Sequence, residues 1–174
     1  MARRNSPPPK KYELLEYGER YSRPLTPELG VTLRRIRYTW GVYSKRGKEI
    51  VAPGTLGGYI QSEKNLDQQG TCVILEGGQA MEEAFVSGSA IVRGIVRERA
   101  QITGKSRIGK RVEVGGAAKI KSSRLKGLIL ANGTAQLIGC RISARFFPMT
   151  FNKAIHRNDR HRQRNPHKAA LGKS

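Results

Sequence analysis

From about Gly70 onward the chain keeps setting a small residue two positions ahead of an aliphatic one, and this spacing limits its fold more than any other feature. The clearest pairs are Ala84/Val86, Ala90/Val92, Ala100/Ile102, Ser106/Ile108, Val112/Val114, Ala118/Ile120, Ser123/Leu125, Ala135/Leu137 and Cys140/Ile142. Four consecutive pairs, opening at Ala100, Ser106, Val112 and Ala118, begin six residues apart; an earlier step is ten and some later ones shorten to five. A period of six does not fit the helical turn, whereas two inward residues around one outward residue describe a very short strand. Glycines such as Gly88, Gly94, Gly104 and Gly115 follow the pairs, at corners where a residue lacking a Cβ turns most easily. Three strand-and-corner units close one triangular coil of roughly 18 residues, the plan of a hexapeptide-type parallel β-helix. Residues 70–143 then supply about four coils. No coil can bury its inner face alone, so stability must come from stacking neighbours and closing both ends. A β-sandwich of short strands is the alternative, but sandwich strands have no reason to recur every six residues.

The residues ahead of the array carry a second signal. KKYEL (Lys10–Leu14), TLRRIRY (Thr32–Tyr38) and PGTLGGYIQSEKNL (Pro53–Leu66) precede the repeats in that order. This arrangement resembles a family of small proteins of bacteriophages and bacteria, in which such a leader runs into repeats of the form G-N-A-x-V. The resemblance spans about residues 10–143 and is most specific in GTLGGYIQSEKNL. It implies an all-β, left-handed parallel β-helix capped by N-terminal strands, and a phage or mobile-element origin; it implies no activity. The chain departs from the pattern in its degenerate repeats, denser basic residues and basic C-terminal extension. The expected organisation is a polar N-terminal extension (1–30), cap strands (31–69), a β-helix (70–143) and a basic tail (144–174). Gly54, Gly57 and Gly58 are expected in a turn joining cap to coils. Tyr38, Trp40 and Tyr43 are expected to pack within the cap.

Charge is the second constraint. Thirty-three Lys and Arg face thirteen Asp and Glu, a formal net charge of +20. Residues 97–126 carry +8 and residues 144–174 carry +7, whereas residues 71–96 carry −2. The first basic block lies inside the patterned region. The second, from Arg145 to Ser174, shows no sustained apolar period and reads as a basic arm, with Phe146, Phe147, Met149 and Phe151 apolar enough to dock on the domain just before it. Apolar content, with Gly counted, is that of an ordinary globular chain, so wholesale disorder is excluded. No apolar run approaches the roughly 20 residues of a membrane span. The polar, Pro-rich start has no apolar signal-peptide core, so a cytoplasmic protein without membrane partners is expected.

Several chemistries can be weighed residue by residue. Acyl transfer on a hexapeptide scaffold needs a His general base, and zinc hydration needs several His ligands. His156, His161 and His167 all lie in the arm and none in the coils, with Asp159 the only nearby carboxylate, so an acyltransferase-like enzyme is the weakest reading and neither metal nor cofactor is expected. Thr103-Gly104-Lys105-Ser106 ends like a phosphate-binding loop, yet position 99 is Arg where that loop requires Gly. No Ser/His/Asp or Cys/His set assembles without the arm. Cys72 and Cys140 stand 68 residues apart in sequence, four coils along the stack. At about 4.8 Å per strand they would be separated by near 19 Å, beyond the roughly 7 Å a disulfide tolerates. Both are expected as buried free thiols.

What remains is polyanion binding. Ser106-Arg107-Ile108, Ser123-Arg124-Leu125 and Cys140-Arg141-Ile142 place an Arg between inward residues at spacings of 17 and 17, so the three Arg should stack into an outer ladder. Arg93 and Arg111, 18 apart, suggest a shorter second row. Candidate contacts in the coils are these five with Arg97, Arg99, Lys105, Lys110, Lys119, Lys121 and Lys126; those in the arm are Arg157, Arg160, Arg162 and Arg164. Arg forks suit phosphate geometry, and affinity would come from counterion release. Neither a helix-turn-helix nor a zinc-finger spacing is present, and residues 97–126 contain no aromatics for base stacking. The expected partner is nucleic acid or another polyanion. Docking on an acidic protein surface, as a scaffold or an inhibitor of a host complex such as a defence system, is the alternative, and self-association into a homo-oligomer stays open.

Overall fold

Each small-x-aliphatic pair becomes a strand of two or three residues, as in Phe85–Val86, Ile91–Val92, Arg107–Ile108 and Val112–Val114. The structure, a computed structural model, describes residues 10–15, 31–152, 155–157 and 160–162. It is an all-β parallel solenoid of about five turns. Among the described residues the only helical element is the 3-10 turn Glu63–Asn65, and no helix is long and apolar enough to cross a membrane.

The coil has three faces. On the first, Leu56–Ile60, Gln79–Ala80, Ile95–Val96 and Val112–Val114 stack in parallel, continued by the ends of Arg124–Ala131 and Arg141–Phe151. On the second, Leu66 bridges to Phe85–Val86, followed by Gln101–Thr103, Lys119–Lys121, Gln136–Ile138 and Ile155–Arg157. On the third stand Val73–Ile74, Ile91–Val92 and Arg107–Ile108, then the starts of Arg124–Ala131 and Arg141–Phe151, then Arg160–Arg162. The aliphatic members of the pairs form inner columns, for example Leu66, Val86, Ile102, Ile120 and Leu137, all buried. Small members line a corner column of Cys72, Ala90, Ser106, Ser123 and Cys140, also buried. There the two Ser hydroxyls donate to backbone carbonyls, Ser106 to Thr103 at 2.6 Å and Ser123 to Leu137 at 2.9 Å.

The solenoid reaches past both ends of the 70–143 window. Gly57 and Gly58, expected in a turn, belong to the strand Leu56–Ile60. A Cβ on Gly58 would lie 2.2 Å from the Gly78 carbonyl oxygen, so glycine here serves close backbone stacking rather than turning. Gly94 plays the same part, and Gly94/Val96 is the pair concealed in the ten-residue step between Ala90 and Ala100. At the other end the ladder continues through Phe151 and the two short strands beyond it, inside the segment expected as a tail. The polar extension expected over 1–30 likewise contains a structured piece, the strand Tyr12–Leu14, antiparallel to Arg34–Tyr38.

A stack of coils exposes backbone groups at its first turn, and the leader residues satisfy them. Arg34–Tyr38 pairs antiparallel with Leu56–Ile60 and covers the first face. On the third face the Tyr38 hydroxyl accepts from the Ile74 amide at 2.8 Å and donates to the Ile74 carbonyl at 3.1 Å. Lys11 Nζ donates to the carbonyls of Asp67 and Cys72, at 2.6 and 2.9 Å. The Tyr12 hydroxyl donates to Leu66 O at 2.7 Å, and the buried Asn65 amide donates to Glu82 O and Ala84 O, both at 2.9 Å. Burial pushes both phenols well above the ordinary tyrosine range.

Cys72 and Cys140 are buried free thiols four rungs apart on the third face, as expected. Burial raises the Cys72 thiol against the lowering influence of Lys11, so it stays protonated at neutral pH and a poor nucleophile. A thiol-specific reagent should therefore label neither cysteine in the native protein and both after denaturation. Tyr38→Phe leaves the Ile74 amide and carbonyl without that partner. It should lower stability by about 1–3 kcal/mol in a chemical denaturation curve; an unchanged midpoint would remove Tyr38 from the end cap.

Candidate polyanion-binding face

The third face turns a sequence interval into a row of charge. Arg107 pairs with Arg124 and Arg124 with Arg141 in strict register, and all three side chains are exposed between buried neighbours. Ile91 holds the rung before them and Arg160 the rung after. At the corner leading to the first face, successive coils place Arg93, then Lys110 and Arg111, then Lys126. That corner is two residues longer in the second of these coils, since Val92 pairs with Ile108 but Ile95 with Glu113. Arg93 and Arg111 therefore share a groove rather than a regular row. Gly127 permits the tight packing of the last corner: its φ is +98°, and a Cβ there would lie 1.8 Å from Ala144 O.

Two members of the ladder, Arg107 and Arg124, line an open groove of about 550 Å³ together with the corner residues. Its cationic lining is Arg93, Arg107, Lys110, Arg111, Arg124 and Lys126, over an apolar floor that includes Ile91, Ile108 and Leu125, and among the described residues no carboxylate lines it. Among the described residues none of these cations has an ion pair. Partial burial, then the neighbouring Arg124 and Arg93, hold the Arg107 guanidinium below its usual range. Two unit charges at the ~4.8 Å rung spacing repel by about 1 kcal/mol in water and about 3 kcal/mol at an effective dielectric of 20. The fold tolerates this because the backbone register leaves the Arg no other rung.

The other expected contacts separate from the groove. Lys119 and Lys121 flank Ile120 on the second face, exposed, and Lys105 lies at the corner between the second and third faces. Arg97 is neutralised: its guanidinium lies 2.6 Å from Glu113 and 3.6 Å from Glu98. Arg99 sits beside Glu82, Glu83 and Glu98 at the corner between first and second faces. There Glu82 and Glu98 both adopt φ of 57°, unusual for a side-chain-bearing residue. Each carboxylate accepts the corner amide of the next coil, Glu82 that of Glu98 and Glu98 that of Gly116. Arg97 and Arg99 thus lie at an acidic corner, away from the groove. Arg157 lies in register with Ile138, and Arg162 with Ser143. His156 and His161 fall on these same terminal strands, while Arg164 and His167 lie outside the described residues.

One basic feature escapes the repeat pattern. Lys45, Arg46 and Lys48 form the tip of a hairpin between Val42–Tyr43 and Glu49–Val51. Its signal is Ser44-Lys-Arg-Gly-Lys between two apolar stretches, a Gly-containing hairpin turn. Of the aromatics expected to pack in the cap, Tyr38 is buried, whereas Trp40 and Tyr43 are 51% and 49% exposed. They flank a hairpin whose stem alone, Val42 and Val51, reaches the core.

No protein-family model matches the chain, and no curated protein matches it. Removing a charge from the ladder should relieve repulsion without opening the core. Arg124→Gln is expected to raise the Tm in low salt, with the gain vanishing near 1 M salt, where the Debye length is only about 3 Å. A loss of stability at low salt would show that the Arg stem, not its charge, governs this position.

Proposed function

We propose that this chain is a non-enzymatic binding protein that engages a polyanion, nucleic acid first among them, along the third face of its solenoid. The observation that carries the reading is the in-register row of Arg107, Arg124 and Arg141, the first two of which share with four further cations a groove that no carboxylate lines among the described residues. Closely stacked guanidinium groups gain most from an anionic partner, because phosphate oxygens accept bidentate hydrogen bonds and relieve the mutual repulsion. A rigid row of charge also concentrates a polyanion at the surface and speeds encounter. Such contacts read the backbone of a nucleic acid and not its base sequence. The +7 over residues 144–174 adds to the same attraction. Resemblance of residues 10–66 to the leader of a phage and bacterial family supports a phage or mobile-element origin.

Salt dependence is the test. Backbone binding through about six phosphate contacts should weaken by about a thousandfold between 50 and 200 mM salt. Replacing Arg107, Arg124 and Arg141 together by Gln should reduce the slope of log affinity against log salt by about 2 to 3. An unchanged slope would return the ladder to solvent. Binding of an acidic protein with no salt-sensitive affinity for DNA or RNA would favour a protein-docking role instead. Truncation to probe the basic segment belongs after residue 162, because a cut at 144 removes Phe151 and a whole run of paired strand.

A further inference from the structure

The hairpin at the base of the solenoid combines features that the groove lacks. Its stem is tied to the cap: Gly54 N donates to Tyr38 O at 2.7 Å, Tyr38 N to Thr55 O at 2.9 Å and Thr39 N to Lys11 O at 3.0 Å. Its tip is also ordered. Ser44 N donates to Lys48 O at 2.7 Å, Gly47 N to Ser44 O at 2.9 Å and Lys48 N to Ser44 Oγ at 3.1 Å. Gly47, with φ of 74°, supplies the left-handed residue that closes such a three-residue loop. Lys45, Arg46 and Lys48 are therefore presented on a stiff turn, all exposed.

Two exposed aromatics bracket Gly41 at the foot of the same hairpin. The Tyr43 ring lies over the Gly41 backbone, where a Cβ would come within 2.8 Å of Tyr43 Cε2 and 2.9 Å of its oxygen. Its hydroxyl donates to Glu49 Oε2 at 3.3 Å. Glycine at 41 thus makes room for the ring, which keeps half its surface in water. Trp40, on the other side of Gly41, is equally exposed. Large exposed rings in the same short segment as exposed cations offer faces on which an unpaired base can stack while its phosphate meets a Lys or Arg. A paired duplex offers its phosphates but conceals its base faces.

We infer that the hairpin, through Trp40 and Tyr43 with Lys45, Arg46 and Lys48, is a stacking site for single-stranded nucleic acid. The inference rests on the reading of the chain as a polyanion binder and names the kind of strand it takes. The groove grips backbone charge, and the hairpin selects strands whose bases are free.

Trp40 is the only tryptophan in the chain, so its emission reports the site directly. The full-length protein is titrated at low salt with end-labelled single strands of about ten nucleotides, within the usual span of such sites. Thymidylate, uridylate, an abasic strand of equal length and a duplex are compared, with label anisotropy giving binding and Trp40 emission giving stacking. Both base-bearing single strands should quench Trp40, with the ratio of their affinities distinguishing DNA from RNA, while the abasic strand and the duplex bind without quenching. Trp40→Ala and Tyr43→Ala should each weaken the base-bearing strands by about 5- to 150-fold and leave the abasic strand within about twofold, whereas Tyr43→Phe keeps near-native affinity. Tight binding with unchanged emission, or equal losses for abasic and base-bearing strands, would overturn the stacking site and leave the charge reading intact. Failure of every strand and duplex to bind would overturn both. Emission that shifts with protein concentration alone would assign the ring to contact between copies and overturn the inference.

Discussion

Everything in this protein depends on coils meeting in register. A two- or three-residue strand has almost no stability by itself; it persists because its amides and carbonyls pair with the coil above and the coil below. Val73 N to Ala90 O, Ile91 N to Ser106 O, Arg107 N to Ser123 O and Arg124 N to Cys140 O form one such line, each at 2.8 or 2.9 Å. Coils differ in length, but the excess is absorbed at corners, as between Ile108 and Val112, and the strands stay aligned. Inward residues therefore fall into columns and outward residues into rows. The same geometry that buries Ile102 over Val86 sets Arg124 over Arg107.

An in-register stack has ends, and an open end would offer strand edges to any other chain. Here the leader closes the first turn with side chains as well as strands. Lys11, Tyr12, Tyr38 and Asn65 each donate to backbone carbonyls of the opening coils, and Tyr38 also accepts an amide. These residues belong to the KKYEL, TLRRIRY and EKNL segments that stand out in the sequence. The leader therefore satisfies backbone groups that have no coil beneath them. The hairpin Val42–Tyr43 and Glu49–Val51 forms a two-stranded sheet of its own outside the ladder of the coils, with its tip exposed.

Charge follows the same geometry but with opposite signs at different corners. Glu82 and Glu98 occupy strained corner positions because their carboxylates complete the amides of the next coil, and Arg97 pairs with Glu113 beside them. The groove corner has no carboxylate in its lining among the described residues. Net positive charge is thus sorted into a balanced edge and an unbalanced one.

The amino-acid order alone determined the coil plan, the buried free thiols and the Arg ladder, because inward-outward alternation and a 17-residue interval are properties of the chain that a parallel stack must preserve. It also made the leader legible as a cap. It did not reveal that Gly58 and Gly94 are the small members of pairs, since a glycine reads equally as a corner, and the choice depends on which carbonyl lies above it. Nor could it separate Arg97 from Arg107, which look alike in sequence until one is set beside Glu113 and the other beside Arg124. Tertiary structure alone decided that Trp40 and Tyr43 face water and that six cations share one groove. Those outcomes depend on corner lengths and on a turn closed at Gly47, local geometry that acts between coils and is not written in the repeat.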